Sequence, residues 1–469
     1  MRRDSKPRPT LSTVTTGWEI RYARTSDGID VAYATAGEGP RDVVLIHGFT
    51  THLDHIGDSP WHAYWARELS SRFRLIQLDK RGTGLSDRSL GVGSIEDRTR
   101  DVIAVMDAAG SRSAAVIGLS EGGPMAITLA ATYPERVDKL VLYGTFARVS
   151  WAPDNPDGIT TEIAESFADW VIDVWGTGKV FTTFISHAPH TDAATALMSK
   201  AERNACTPQL AGEIMRLNNA IDVRAFLPAV TVPTLVMHTS RDRLVPVGLA
   251  RSLAQNIAGA EYFEVDDDYH CTWVTKEYEP FMQRVLGFLD ADVAVPEAAP
   301  APAPGARRSR RSVQTILFTD IVGSTGRAAA IGDEQWSAVL AEHHRRATTA
   351  THEFGGTVVK TTGDGVLALF DGPSRAIQAV EALRADVAEL DLQLRAGIHT
   401  GEIERADSDV SGIGVHVAAR VMELAGADET LATRTVRELA AGSGIEFTDR
   451  GTHTLRGIPS EWEIYAVGS

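Results

Sequence analysis

A proline- and alanine-rich stretch near the middle of the chain limits how this polypeptide can fold. The stretch from Ala294 to Gly305 mixes proline with alanine and glycine. Such a composition favours an extended polyproline II conformation over a packed element. It therefore separates two folding units, which we place at residues 1–292 and 313–469, joined by a linker over residues 293–312. A chain of 469 residues is long enough for each unit to have its own core.

In the first unit, short apolar runs alternate with amphipathic segments of helical length. The apolar runs cover residues 43–46, 73–78, 114–117, 139–143, 234–238 and 262–265. Near-continuous apolar strands separated by helices predict a mostly parallel sheet covered on both faces. Active residues then belong at the carboxyl ends of the strands.

A serine lies in the sequence Gly118-x-Ser120-x-Gly122, between an apolar run and a predicted helix. The pattern is common by chance, but here the flanking glycines suit a sharp strand-to-helix turn that exposes the serine. Asp242 follows a later strand, and His270 follows the last strand of the unit. The chain order serine, aspartate, histidine is that of one known arrangement of the catalytic triad.

These motifs resemble the α/β-hydrolase superfamily over nearly the whole first unit. The resemblance implies that Ser120 is the nucleophile, His270 the general base and Asp242 the residue that orients it. It also implies that the backbone N–H groups of Phe49 and Glu121 form an oxyanion hole, and that the reaction is ester or related acyl chemistry.

The interval from about residue 150 to 228 interrupts the strand pattern and is predicted to be helical. In this superfamily such an insertion is a cap over the active site. Phe167, Trp170 and Trp175 recur there at helical spacing, and either line an acyl pocket or pack the cap onto the core. The ligand of this pocket is expected to be a small acyl or apolar molecule that the sequence does not identify.

The second unit contains a strong hairpin signal from Val358 to Phe370, in which two apolar runs flank Gly-Asp-Gly. The turn presents Asp364 at its tip, and Asp320 ends another short apolar strand before a Gly-Ser-Thr turn. Either aspartate alone reads as an ordinary turn residue. Together they suit a divalent cation that holds a polyphosphate. Ser374 is expected to cap the helix after the hairpin.

The second unit resembles the class III nucleotidyl cyclase catalytic domain from about Val313 to Val467, and its element order suggests an α+β, ferredoxin-like core. The resemblance implies two Mg²⁺ or Mn²⁺ ions bound by Asp320, Asp364 and Ile321. The residues that it assigns to binding of the nucleotide, which we take to be ATP, are Gly323, Ser324, Thr325, Lys360, Arg395, Asp409 and, less closely matched, Arg456. It assigns His416 and Arg420 to catalysis.

Within that set, Lys360 and Asp409 match the pair that reads the purine edge, and a lysine with an aspartate favours adenine over guanine. Arg395 and Arg420 match arginines that neutralise phosphate charge. His416 stands where the family usually has an asparagine that orients the ribose, which puts the rate and pH dependence in doubt. The alternative is that His416 is only a packed helix residue with no role in the site.

In this family, the metal-binding aspartates and the adenine-reading residues of one site come from different protomers. One chain here carries both sets, so the resemblance implies a head-to-tail homodimer with two equivalent sites.

The charge and cysteine content exclude several classes of protein. A formal net charge of −16 opposes binding to nucleic acid or to an anionic membrane, since polyanions repel each other. Two cysteines provide neither a disulfide framework nor a zinc site. No apolar core of a signal peptide and no run near the roughly 18 residues of a membrane span is present. We expect a cytoplasmic protein with no nucleic-acid partner and no membrane span.

The sequence thus predicts an adenylate cyclase, making 3′,5′-cyclic AMP and pyrophosphate from ATP, fused to an esterase- or lipase-like serine hydrolase. Two alternatives stay open. The chain is mainly a carboxylesterase with a weak cyclase, or the first unit is a ligand sensor that regulates the cyclase.

Overall fold

The computed structural model describes residues 18–58, 60–89, 91–184, 192–270, 278–291, 310–406, 409–458 and 461–468. Most of the predicted linker lies outside these ranges. Two separate sheets of eight strands form within them, one in each predicted unit. Among the described residues, no helix combines the length and apolar character needed to cross a bilayer.

The first domain is built on a mostly parallel sheet with strand order β1-β2-β4-β3-β5-β6-β7-β8. Only the pairs β1–β2 and β2–β4 are antiparallel. The strands are β1 (Glu19–Arg24), β2 (Asp30–Ala36), β3 (Asp42–Ile46), β4 (Arg74–Leu78), β5 (Ala114–Leu119), β6 (Val137–Tyr143), β7 (Thr234–Thr239) and β8 (Glu261–Val265). The predicted parallel sheet is confirmed, and the two antiparallel edge strands were not predicted.

Helices cover both faces of this sheet and supply the cap. They are α1 (Pro60–Ser70), α2 (Ile95–Ala108), α3 (Gly122–Thr132), α4 (Thr161–Val174), α5 (Lys179–Phe184), α6 (Asp192–Ala205), α7 (Pro208–Ala220), α8 (Val247–Asn256) and α9 (Tyr278–Asp290). Short 3-10 helices span Leu53–His55, Pro134–Arg136 and Arg224–Ala229. Of these elements, α4 to α7 lie between β6 and β7, in the interval predicted to be the cap.

Alternate residues of the central strands belong to two different apolar clusters. Val44 and Val116 face one cluster, whereas Leu45 and Ile117 face the other, and all four are fully buried. This alternation follows from the two-residue period of a strand, because each face of the sheet is covered by helices. The sheet is therefore a rigid platform whose carboxyl edge carries the loops of the first candidate site.

The second domain has strand order β10-β11-β9-β12-β14-β16-β15, with β13 paired to β12. Its strands are β9 (Arg310–Ile321), β10 (Thr357–Thr362), β11 (Gly365–Phe370), β12 (Leu394–Ala406), β13 (Asp409–Ser411), β14 (Thr430–Thr433), β15 (Phe447–Thr454) and β16 (Glu461–Val467). Its helices are α10 (Ser324–Ile331), α11 (Asp333–Glu353), α12 (Pro373–Ala388), α13 (Ile413–Leu424) and α14 (Arg434–Leu439).

Two predictions about element ends were wrong in this domain. Strand β9 begins at Arg310, inside the predicted linker, because it pairs with the long strand β12 as far as Arg405. Ser374 does not cap α12. The cap residue is Gly372, the helix begins at Pro373, and the Ser374 amide donates to Glu96 of the first domain at 3.2 Å.

The two domains share a buried interface. Val313 of β9 and Leu439 of α14 are 2% exposed and belong to the apolar cluster on one face of the first domain's sheet. Around them, the Glu96 carboxylate accepts from the Ser374 amide, and the Tyr133 hydroxyl donates to Asp371 at 3.0 Å. The contact thus combines apolar burial with directional polar bonds.

Candidate active sites

Ser120 lies at a sharp turn between β5 and α3, with a left-handed φ of +48°. A non-glycine residue rarely adopts this conformation, and it is maintained here by close packing of strand and helix. A Cβ atom at Gly122 would lie 2.3 Å from the Ile46 carbonyl oxygen, and one at Gly118 would lie 2.8 Å from the Cβ atom of Ala126. The glycines are therefore required sterically for the turn that exposes the serine.

The structure brings His270 and Asp242 together as predicted. His270 Nδ1 lies 2.7 Å from Asp242 Oδ2, and the amides of Leu244 and Val245 donate to Oδ1 at 2.8 and 2.9 Å. Burial favours the neutral acid, but the neighbouring His270 charge and hydrogen bonds from His238 and His270 hold the pKa of Asp242 well below its usual value. The ionised carboxylate orients His270 with its Nδ1–H toward Asp242, leaving Nε2 to act as a base.

His238 is a second partner of Asp242 that the sequence did not predict. Its Nε2 lies 3.3 Å from Asp242 Oδ2 and 2.9 Å from the Val245 carbonyl oxygen, and its side chain is fully buried. A histidine near the end of β7, four residues before the aspartate, is the signal that could have identified it.

The predicted oxyanion donors, the N–H groups of Phe49 and Glu121, flank Ser120. A Cβ atom at Gly48 would lie 3.0 Å from the Ser120 Cβ atom, so the loop that carries Phe49 passes close to the serine. Among the hydrogen bonds of the described residues, neither N–H donates to an acceptor. Glu121 also precedes the first residue of α3, where the helix dipole favours negative charge.

A cavity of about 350 Å³ opens onto Ser120 and His270 and extends beneath the cap. Most of its lining is apolar, and includes Phe146, Ile163, Phe167, Phe181, Leu197 and Met215. Phe167 therefore lines the pocket, whereas Trp175 packs the cap, its indole N–H donating to the Cys206 carbonyl oxygen at 2.9 Å. Trp170 packs in the same cap cluster. Of the three cap aromatics, Phe167 thus lines the pocket, and the two tryptophans pack within the cap.

The predicted metal ligands of the second domain also converge. Asp320 is the penultimate residue of β9. Asp364 occupies the two-residue turn of the β10–β11 hairpin, because Thr362 pairs with Gly365. Burial raises the pKa of Asp320 and the nearby charge of Asp364 raises it further, against the lowering effect of the Arg395 guanidinium. Two carboxylates that repel each other in this way fit a divalent cation placed between them.

Asp320 and Asp364 would supply only part of the coordination sphere of a metal ion. Within the described ranges, no group of three or more histidine, cysteine, aspartate or glutamate residues is arranged to hold a metal ion. This fits Mg²⁺ bound by one or two carboxylates together with substrate phosphates and water. Ile321, predicted as a further ligand, has a buried side chain, so only its main-chain oxygen suits that role.

Arg395 lies on β12 directly opposite Asp320, to which its Nε donates at 2.8 Å. Beyond Asp320, Gly323 has a φ of +73° and precedes α10, which begins at Ser324. The backbone around Ser324 and Thr325 therefore forms the start of a helix, which suits a phosphate group. Of Thr325, only the backbone is described.

The other predicted nucleotide residues lie elsewhere on the domain. Lys360 is exposed on β10, and Asp409, described for its backbone alone, begins β13, which contacts β10. His416 is exposed on α13, and Arg420 on the same helix pairs with Glu423. Arg456 is exposed between β15 and β16. In the described part of the chain, no hydrogen bond or ion pair connects His416, Arg420 or Arg456 with Asp320 or Asp364.

Comparisons with known proteins match each half separately. The family described as alpha/beta hydrolase fold matches residues 43–277, and the adenylate and guanylate cyclase catalytic domain matches residues 308–469. A putative carbamate hydrolase RutD of Caulobacter segnis is 28% identical over 235 residues, covering 49% of this chain and 86% of its own length.

Two further comparisons concern the first half. A pimeloyl-[acyl-carrier protein] methyl ester esterase of Nitrosomonas europaea is 32% identical over 233 residues, covering 48% of this chain and 86% of its own length. An esterase structure from Exiguobacterium antarcticum is 21% identical, with a TM-score of 0.50, and covers 57% of this chain and 98% of that one. The structural likeness supports the fold alone.

Proposed function

Because this chain belongs to the α/β-hydrolase fold family over residues 43–277 and has a class III cyclase catalytic domain over residues 308–469, we propose that it is a fused adenylate cyclase and serine ester hydrolase. The convergence of Asp320 and Asp364 at one edge of the second sheet supports the cyclase. The His270–Asp242 pair beside an apolar cavity supports the hydrolase.

In the proposed cyclase reaction, the 3′-hydroxyl oxygen of ATP attacks the α-phosphorus, and pyrophosphate leaves. Asp320, Asp364 and the Ile321 carbonyl would hold two Mg²⁺ or Mn²⁺ ions, which when bound lower the pKa of the 3′-hydroxyl and neutralise phosphate charge. Arg395, which donates to Asp320, would neutralise charge on the phosphates in the transition state. The start of α10 receives other phosphate oxygens.

ATP is proposed over GTP because of the chemistry of Lys360 and Asp409. Adenine presents a ring-nitrogen acceptor and an amino donor, which suit a lysine donor and an aspartate acceptor. The strands β10 and β13 that carry these residues are in contact, which supports their action as a pair. Incubating the purified protein with Mn²⁺ and either ATP or GTP tests this choice, since cyclic AMP is the expected main product.

We place each cyclase site between two copies of the chain. His416 is exposed and Arg420 half-buried on α13, and neither is bonded to the aspartates in the described part of one chain, as expected of residues that complete a partner's site. Mixing inactive Asp320→Ala with inactive Lys360→Ala should restore one intact site in each mixed dimer. Failure to recover activity after verified subunit exchange would refute shared sites.

In the proposed hydrolase reaction, Ser120 Oγ attacks the ester carbonyl carbon, and its proton passes to His270 Nε2. The oxyanion accepts hydrogen bonds from the N–H groups of Phe49 and Glu121. Collapse releases the alcohol, which takes the proton from His270, and water then hydrolyses the acyl-enzyme by the same steps. The apolar lining favours an uncharged, hydrophobic acyl group, and the relative named as a methyl ester esterase supports ester chemistry.

Turnover of p-nitrophenyl butyrate tests this second activity. Ser120→Ala should abolish it and leave cyclic AMP production intact, because the serine is remote from the aspartate pair in the chain's two-domain arrangement. The sensor alternative is supported by one observation, the buried contact between Glu96 and the start of α12. A sensor role for the first domain would be adopted in place of ester hydrolysis if the protein cleaved no ester while apolar ligands changed its cyclase rate.

A further inference from the structure

Three charged side chains form a buried cluster immediately behind the proposed oxyanion hole. Lys80 follows β4, Arg98 is on α2, and Glu121 directly follows Ser120; their side chains are 4%, 2% and 3% exposed. Lys80 Nζ lies 3.3 Å from one Glu121 carboxylate oxygen, and Arg98 pairs with the other. Three elements that are separate in the chain thus meet at the residue after the nucleophile.

Lys80 also holds the loop that carries the other oxyanion donor. Its Nζ contacts the carbonyl oxygen of Gly48 and lies 3.4 and 3.2 Å from those of His47 and Phe49. In a trans peptide, the C=O and N–H groups point in opposite directions. When Lys80 binds the Gly48 carbonyl, it therefore fixes the direction of the Phe49 N–H, which belongs to the same peptide group.

The second donor is fixed by comparable contacts. The Ser120 carbonyl, which shares a peptide group with the Glu121 N–H, accepts from the Gly123 amide at 2.9 Å and from the Thr145 hydroxyl. Arg98 and Lys80 anchor the Glu121 side chain. Both peptide groups of the proposed hole are therefore held on their carbonyl sides, and their N–H groups are left without acceptors in the described chain.

We infer, given the hydrolase proposed above, that Lys80, Arg98 and Glu121 are positioning residues. They orient the Phe49 and Glu121 N–H groups toward the oxyanion. Burying three charges is costly, and an apolar cluster of similar volume commonly serves stability as well or better. This cluster contacts both peptide groups that carry the oxyanion donors. A role in orienting those groups therefore explains why three charges are buried there.

Lys80→Met tests the inference, and Lys139→Met is a matched control. Lys139 is equally buried, and its Nζ also binds main-chain carbonyls, those of Phe288 and Leu289 at 2.6 and 3.3 Å, far from Ser120 in the fold. With p-nitrophenyl butyrate, Lys80→Met should lower kcat about 100-fold, the scale of losing one oxyanion donor, with KM changed less than threefold. Lys139→Met should lower thermal stability and leave kcat within threefold of the unmodified protein.

Phenylboronic acid provides a readout that does not depend on turnover. Ser120 Oγ adds to its boron atom, the serine proton passes to His270, and a boron-bound oxygen occupies the hole. Lys80→Met and the milder Glu121→Gln should weaken this inhibitor at least 30-fold and tenfold, respectively, on the scale of a partly lost donor. Glu121→Gln keeps the volume of the side chain, so it serves if Lys80→Met does not fold.

The outcomes separate this inference from the hydrolase proposal. Active protein whose Lys80→Met and Glu121→Gln variants keep kcat and boronate affinity within threefold refutes the positioning role and leaves the hydrolase standing. Protein that cleaves no ester, yet binds boronate in a Ser120- and Lys80-dependent way, supports the positioning role against the proposed turnover. Protein that does neither overturns both.

Discussion

Gly372→Ala should disturb the contact between the two domains, because the added methyl group would overlap a side chain of the first domain. The backbone of Gly372 is extended, with φ of −168°, so alanine causes no backbone strain there. The added Cβ atom would lie 1.8 Å from the Glu96 Cδ atom, which is far inside contact distance, and Glu96 is 5% exposed. The carboxylate must therefore move away from the start of α12.

The size of the effect follows from the bond that is lost. The Ser374 amide donates to the Glu96 carboxylate, and hydrogen bonds to charged groups contribute about 1.5–3 kcal/mol. Gly372→Ala should thus lower the free energy of unfolding by about 2 kcal/mol. Glu96→Ala removes the same bond and weakens the anchoring of Arg100, which keeps Asp97 as a partner, so a loss of about 2–4 kcal/mol is expected.

A double-mutant cycle checks this reasoning in urea titrations followed by tryptophan fluorescence. In the Glu96→Ala background, the new methyl group meets no carboxylate, so Gly372→Ala should then cost less than about 0.5 kcal/mol. Additive losses would show that the two residues do not meet and would refute the interface as described. A Gly287→Ala variant, whose added Cβ atom has no neighbour within 4 Å and whose backbone is helical, controls for the change from glycine to alanine where there is space.

Asp242→Asn should reduce the kcat of ester cleavage by about 10⁴-fold with little change in KM, because the amide no longer selects the reactive His270 tautomer; steady-state kinetics measure this. The depressed pKa of Asp242 gives stability that is complete above its ordinary value of 3.8 and is lost as pH falls through its lower folded value. The Asp242→Asn variant should therefore lose less stability than the unmodified protein as the pH falls through that value. Chelation of divalent cations should abolish cyclic AMP formation and leave ester cleavage intact, which parallel assays of one sample can compare. Phe167→Ala should enlarge the cavity and shift the preferred p-nitrophenyl ester to longer acyl chains, and an unchanged chain-length profile would contradict its place in the pocket wall.

Sequence patterns predicted the parts of this fold that local chemistry specifies. The buried runs before Ser120 and Asp242 could be assigned because strands covered on both faces are almost wholly apolar. The Gly363-Asp364 turn could be assigned because a two-residue hairpin needs a left-handed backbone, and Gly363 has a φ of +78°. Candidate triad and metal residues followed from their position at the ends of such strands.

Features that depend on distant parts of the chain were not predictable. The edge strand β1 is mostly exposed, with Ala23 as its one buried residue, and its sequence gives a weak strand signal. The role of Ser374 could not be foreseen, because its amide partner, Glu96, is 278 positions away and in the other domain. The role of Lys80 could not be foreseen either, because its partners are carbonyl groups of another loop.

The shared burial of Val313 and Leu439 has a practical consequence for anyone who dissects this protein. A C-terminal fragment produced alone would carry these side chains uncovered, as a patch that the full chain never presents to water. Such a fragment could then self-associate through this uncovered apolar patch. That association could be mistaken for the dimerisation that forms the cyclase sites. Stoichiometry and cyclase rates are therefore best measured on the intact chain.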